Sequence, residues 1–137
     1  MWRISLTGVL LVVGVGCSQS ATVILETPPD VAAVGGSVRT LSGSAVAGAT
    51  LRIKAFGVLA GRGTQLIDTF SAQTDSEGHF AQVLILGPFG LQQCQLHITV
   101  TPPVGSGLTV KADSVMARVN AMLPPADTAK LNFVLTP

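Results

Sequence analysis

Aliphatic and polar residues alternate along most of this chain with the two-residue period of a β-strand, in which successive side chains point to opposite faces. The clearest run is Ala49 to Phe56, where Leu51, Ile53 and Ala55 alternate with Arg52 and Lys54. Gln95 to Thr101 repeats it with Leu96, Ile98 and Val100 set against Gln95, His97 and Thr99. Ser114 to Ala121 and Lys130 to Thr136 show the same alternation. Further strands are predicted at Ser37 to Ser42, Leu66 to Thr74, His79 to Leu86 and Leu108 to Ala112, separated by turns rich in Gly and Pro. Val115 to Met122 also fits a short helix ending before Pro124 and Pro125. Recurrent Gly, Pro and β-branched residues oppose helix elsewhere.

Seven or eight short strands, each with one apolar face, need a facing sheet to bury those faces. The expected fold is an all-β, antiparallel, Greek-key β-sandwich over residues 37–137.

The segment before it reads differently. Met1 to Arg3 carries a positive charge, Ile4 to Val15 is uncharged and mostly apolar, and polar residues follow from Cys17. This is the pattern of a signal peptide over residues 1–16, too short for a bilayer span of about 20 apolar residues. Residues 17–36, with Pro28, Pro29, Gly35 and Gly36 around a β-prone run at Thr22 to Glu26, read as a tether. Gly14-Val15-Gly16-Cys17 resembles the lipobox of bacterial lipoproteins, with Gly14 where that family usually has Leu. The resemblance implies lipidation of Cys17, membrane attachment through its acyl chains, and, with Ser18 next in line, the outer membrane. Two or more acyl chains suffice for stable anchoring. Cleavage after Ser20, within a small-x-small pattern, is the alternative and implies a secreted or periplasmic protein.

Composition narrows the function classes. Only 11% of residues are charged, against 47% apolar, and eight basic side chains face seven acidic ones. That excludes disorder and gives no basic stripe for nucleic acid. Two cysteines make no disulfide framework. With Cys17 as the lipid site, Cys94 reads as a small strand hydrophobe rather than a nucleophile.

A second resemblance lies in Gly36-Ser37-Val38-Arg39, Gly43 to Ala49, Leu51-Arg52-Ile53, and Thr74-Asp75-Ser76-Glu77-Gly78-His79-Phe80. These resemble the carboxypeptidase regulatory-like domains of the transthyretin-like class, with Ala45 where that family often has Pro and a longer loop over Gly57 to Gln65. The turn chemistry is physical: Gly48 and Gly78 suit positions with φ > 0, Asp75 can bond its own turn, and Phe80 returns to the core. The resemblance implies a transthyretin-like sandwich and says little of activity.

No catalytic or metal constellation emerges. His79 and His97 have no zinc-type spacing, and Asp75 with Glu77 lacks the calcium-loop arrangement. A Gly-x-Ser-x-Gly elbow is absent, as are the tyrosine and C-terminal Tyr-Arg-Gly-Ser signature of the transthyretin-like hydrolases. No cofactor is expected. The candidate partner-binding residues are Phe56, on the face of Arg52 and Lys54, Phe89 in the Gly87-Pro88-Phe89-Gly90 loop, and Arg62 between Gly61 and Gly63. The expectation is a lipid-anchored, non-catalytic envelope protein with a structural or protein-binding sandwich. The alternatives are a carbohydrate-binding module of the same fold and, behind it, a small transthyretin-like hydrolase.

Overall fold

A computed structural model describes residues 28–121, 125 and 127–137. The leader, Cys17 and the run Thr22 to Glu26 lie outside the described residues. Eight strands follow in order: β1 (Asp30–Thr40), β2 (Thr50–Leu59), β3 (Gly63–Gln73), β4 (His79–Gly87), β5 (Gln93–Thr101), β6 (Lys111–Arg118), β7 (Ala129–Lys130) and β8 (Phe133–Leu135). They form a β-sandwich. One sheet runs β3-β2-β5-β6, antiparallel throughout; in the other, β1 lies between β4 and the short strands β7 and β8. No helix of the described residues is long and apolar enough to cross a membrane.

The alternation read from β2 and β5 becomes the inner face of the first sheet. Leu51, Ile53 and Ala55 pair across the ladder with Val100, Ile98 and Leu96, and all six are fully buried. Leu84, Phe80 and Leu86 of β4, Ala32, Val34 and Val38 of β1, and Phe133 and Leu135 of β8 meet them from the other sheet. The Phe80 and Phe133 rings are 6.4 Å apart, a tilted pair within that core.

Several expected boundaries move. The first strand begins at Asp30 rather than Ser37, so residues 30–36, expected in the tether, form the first half of β1. Asp30 through Gly35 are buried whichever way they point, leaving no alternation to read. The long loop over Gly57 to Gln65 is a tight hairpin instead: β2 continues to Leu59, and the Arg62 amide donates to the Leu59 carbonyl at 3.0 Å. Gly61 and Gly63 hold φ of 75° and 70° there, the left-handed values the turn demands. The strands expected at Leu108–Ala112 and Ser114–Ala121 are one strand, β6, and residues 115–118 of the alternative helix lie within it. The last strand divides in two, and both pieces run parallel to β1, so the sandwich is mainly rather than wholly antiparallel.

The turn chemistry matches expectation. Gly48 and Gly78 have φ of 72° and 78°. The Asp75 carboxylate accepts the amides of Glu77 and His79, each at 2.9 Å, and the His79 and Glu77 hydrogen bonds hold its pKa below the ordinary carboxylate value. Phe80 then enters the core at 5% exposure.

Strand directions give the sandwich two distinct ends. At one lie the start of β1, the β2–β3 hairpin, the loop from Gly87 to Gln92 and the exit of β6. At the other lie Leu41 to Gly48, the Asp75 turn, Pro102 to Val110 and the last residues of β8.

Candidate functional site

The outward residues of the β3-β2-β5-β6 sheet fall into cross-strand rows fixed by register. Thr69, Lys54, His97 and Ser114 form one row, and Ser71, Arg52, Thr99 and Ala112 the next. Arg52, Lys54, His97, Thr99 and Ser114, with Ala112 and Asp113, line a shallow, solvent-facing groove of about 360 Å³. Among the described residues neither Arg52 nor Lys54 makes an ion pair, and Asp113 is the one carboxylate lining the groove with them. Alternate residues on a strand stand about 7 Å apart on one face, which sets the spacing of the two cations.

The following row is apolar but for Gln95. Leu66, Phe56, Gln95 and Met116 are aligned across all four strands. Phe56 is half-buried, with its ring centroid 4.8 Å from that of His97 at an interplanar angle of 47°. The imidazole is therefore held by packing as well as by its strand. A smaller hollow of about 110 Å³ lies here, lined by Phe56, Val58, Thr64, Gln95 and Met116 among others.

Phe89 sits in the loop beside the start of β1, half exposed. Its position is set by Asp30, a carboxylate only 3% exposed, which accepts the amides of Phe89 at 2.9 Å and Leu91 at 3.2 Å. Leu91 in turn fills the space that a side chain at Gly57 would need, its Cδ2 lying 2.9 Å from that position. Arg62 is exposed at the β2–β3 turn. Phe56, Phe89 and Arg62 thus gather toward one end of the sandwich, although Phe56 belongs to the sheet face and the other two to loops.

The remaining titratable groups are dispersed. His79, on β4, stands 3.9 Å from Glu77 at the opposite end, whereas His97 is on the other sheet. Cys94 is buried, and burial pushes its thiol up to about 11 from an ordinary value of 9.0. Among the described residues no three of His, Cys, Asp and Glu are grouped as a metal would require.

Sequence reasoning named Phe56, Phe89 and Arg62 but not the groove. Arg52 and Lys54 were readable as one strand face, yet their meeting with His97, Thr99 and Ser114 depends on register between distant strands. Asp30 gave no signal, since a single acid after two prolines looks like any loop residue.

No protein-family model matches the chain, and no curated protein matches it in sequence. Among solved structures it is similar in fold to chlorocatechol 1,2-dioxygenase from Pseudomonas putida, with a TM-score of 0.54 and 14% identity over 82% of this chain and 63% of that one. It is also similar to 3-chlorocatechol 1,2-dioxygenase from Rhodococcus opacus 1CP, with a TM-score of 0.51 and 16% identity over 82% of this chain and 61% of that one. The chain spans less than two-thirds of these enzymes' length. At such identity the likeness is one of fold.

Proposed function

We propose that this chain is a non-catalytic protein of the bacterial envelope, lipid-anchored at Cys17, whose carboxypeptidase regulatory-like sandwich acts as a protein-binding module. The observation that carries the binding reading is the groove over Arg52, Lys54 and His97, where two cations without ion pairs outnumber the single Asp113 carboxylate and stand beside hydroxyls and Phe56. Such a face suits an acidic partner surface with an apolar border, because charge complementarity guides approach and the exposed part of the Phe56 ring supplies contact area. The non-catalytic reading draws on the separation of the two histidines onto different sheets and on the protonated, buried Cys94.

Anchoring is tested by replacing Cys17 with Ser and following fatty-acid labelling and membrane fractionation. Loss of both is expected; labelling that persists excludes Cys17 as the lipid site. Binding is tested in cells with a photo-crosslinking residue at position 54 and, separately, at Val134 on the opposite sheet. A discrete adduct from position 54 alone, weakened by Arg52→Gln, supports the assigned face. Equal or absent adducts at both positions overturn it.

The half-buried Phe56 beside Gln95, Lys54 and His97 favours a second reading, an acidic carbohydrate laid on the same face. Titration with uronic-acid oligosaccharides separates the two, since a protein-only face gives no saturable binding.

A further inference from the structure

The end of the sandwich at which β1 begins carries a collar of exposed apolar side chains. Val58 (72% exposed), Leu66 (51%) and Met116 (51%) project from one outer face, Ile85 (52%) from the other sheet, and Phe89 (50%) from the loop beside Asp30. Exposure alone does not distinguish this end, because Leu41, Val104 and Val110 are exposed at the opposite one. Three other features do.

First, the described chain enters here: Asp30 opens β1 and its carboxylate grips the Phe89 loop. On the reading that Cys17 is lipidated, the stretch from Cys17 to Pro28 reaches at most about 40 Å when extended, so this end is held within that distance of the bilayer. Second, the Phe89 and Leu91 amides each donate to the buried Asp30 carboxylate, so the backbone that carries the exposed Phe89 ring is already ordered before contact. Third, the charges differ. Arg62 at the β2–β3 turn makes no ion pair among the described residues, whereas Arg118 is matched by Asp127 at 3.3 Å. The far end carries Asp75 and Glu77 in its exposed turn, offset by Arg39 near the end of β1 and Lys111 at the start of β6. An anionic lipid surface attracts the unmatched Arg62 and gains nothing comparable at the far end.

We infer that this end docks on the membrane, with Phe89 and its apolar neighbours entering the headgroup–acyl boundary and Arg62 meeting lipid phosphates, so that the Arg52–Lys54–His97 groove stands upright and open to the aqueous side. The inference rests on the anchored reading above. Amphipathic contact of this kind adds to an acyl anchor by fixing orientation, which a flexible tether alone leaves free.

The test uses the full lipidated protein in vesicles of phosphatidylethanolamine and phosphatidylglycerol with brominated acyl chains. The sequence contains a single tryptophan, Trp2 in the leader, so each Trp variant of the processed protein has one emitter. Phe89→Trp, with Met116→Trp as an independent second site, is expected to be quenched at least twofold more than Leu41→Trp at the far end. Cofloating protein in which positions 89 and 116 are quenched no more than position 41 overturns the docking and leaves the anchor standing. Protein that is not lipidated and does not cofloat with vesicles overturns the anchored reading and the docking with it.

Discussion

Asp30 and Thr74 are the buried polar side chains of the described sandwich, and both are spent on backbone amides. Thr74 accepts the Ala49 amide and donates to the Val46 carbonyl, fastening the turn before β2. Asp30 secures the Phe89 and Leu91 amides. Asp30→Ala strands the buried Leu91 amide and leaves the Phe89 amide only its 3.1 Å bond to the Gly87 carbonyl, and an orphaned buried donor costs about 1–3 kcal/mol. The urea midpoint is expected to fall accordingly, with faster amide exchange at Phe89 and Leu91, while Asp30→Asn, which keeps an acceptor, loses less. An unchanged midpoint in Asp30→Ala would show that the clamp contributes nothing. Cys94 offers a pH test. Its folded thiol is raised from 9.0 to about 11 by burial, so the unfolded chain releases its proton first. The associated stability is complete below the ordinary thiol pKa and is lost as pH climbs from 9.0 towards 11. Alkylation at neutral pH is therefore expected to be slow in the native protein and rapid in denaturant, and equal rates would contradict the burial.

At the scale of elements, the pairing of β1 with the C-terminal strands turns on Gly36. The Leu131 carbonyl occupies the place a Cβ at this position would take, and the Leu131 amide donates to the Gly35 carbonyl at 3.0 Å. The backbone there is ordinary strand, so the demand is for space and not for φ. Gly36→Ala must push the β7–β8 segment outward, and overpacking of this kind costs about 1–3 kcal/mol. Thermal unfolding of the variant measures that cost, and amide exchange at Leu131 shows whether the segment is the part displaced. Much of the remaining strand layout was legible. β2, β4 and β5 each have one wet face, and period-two alternation records that contrast directly. β1 was hidden at its first half because both faces are covered, and the parallel attachment of β7 and β8 was hidden because nothing local distinguishes a parallel from an antiparallel partner. The groove was half legible for a related reason. Arg52, Lys54 and Phe56 share a face by spacing alone, but His97 joins them only because β5 pairs with β2 in one of several registers the pattern permits.

For the whole molecule, the two sheets share one core whose closing piece is the last strand. Phe133 and Leu135 are 2% and 1% exposed, and their strand pairs with Val38 and Thr40 at the far end of the sequence. Neither sheet has another apolar layer of comparable size to fall back on, since the inner faces of β2 and β5 pack against the same cluster that Phe133 completes. Truncating a buried Phe to Ala costs about 3–5 kcal/mol, a large share of the roughly 5–15 kcal/mol that a domain holds. Phe133→Ala is expected to lower the denaturation midpoint of both sheets together, read by amide exchange at Ile98 in one sheet and Leu84 in the other. Coincident loss of protection at the two positions is the signature of one cooperative unit. Protection that persists at Ile98 after Leu84 has exchanged would mean that the β3-β2-β5-β6 sheet, with its groove, keeps its structure alone. In that event the binding face would be independent of the strand that ties the sandwich shut.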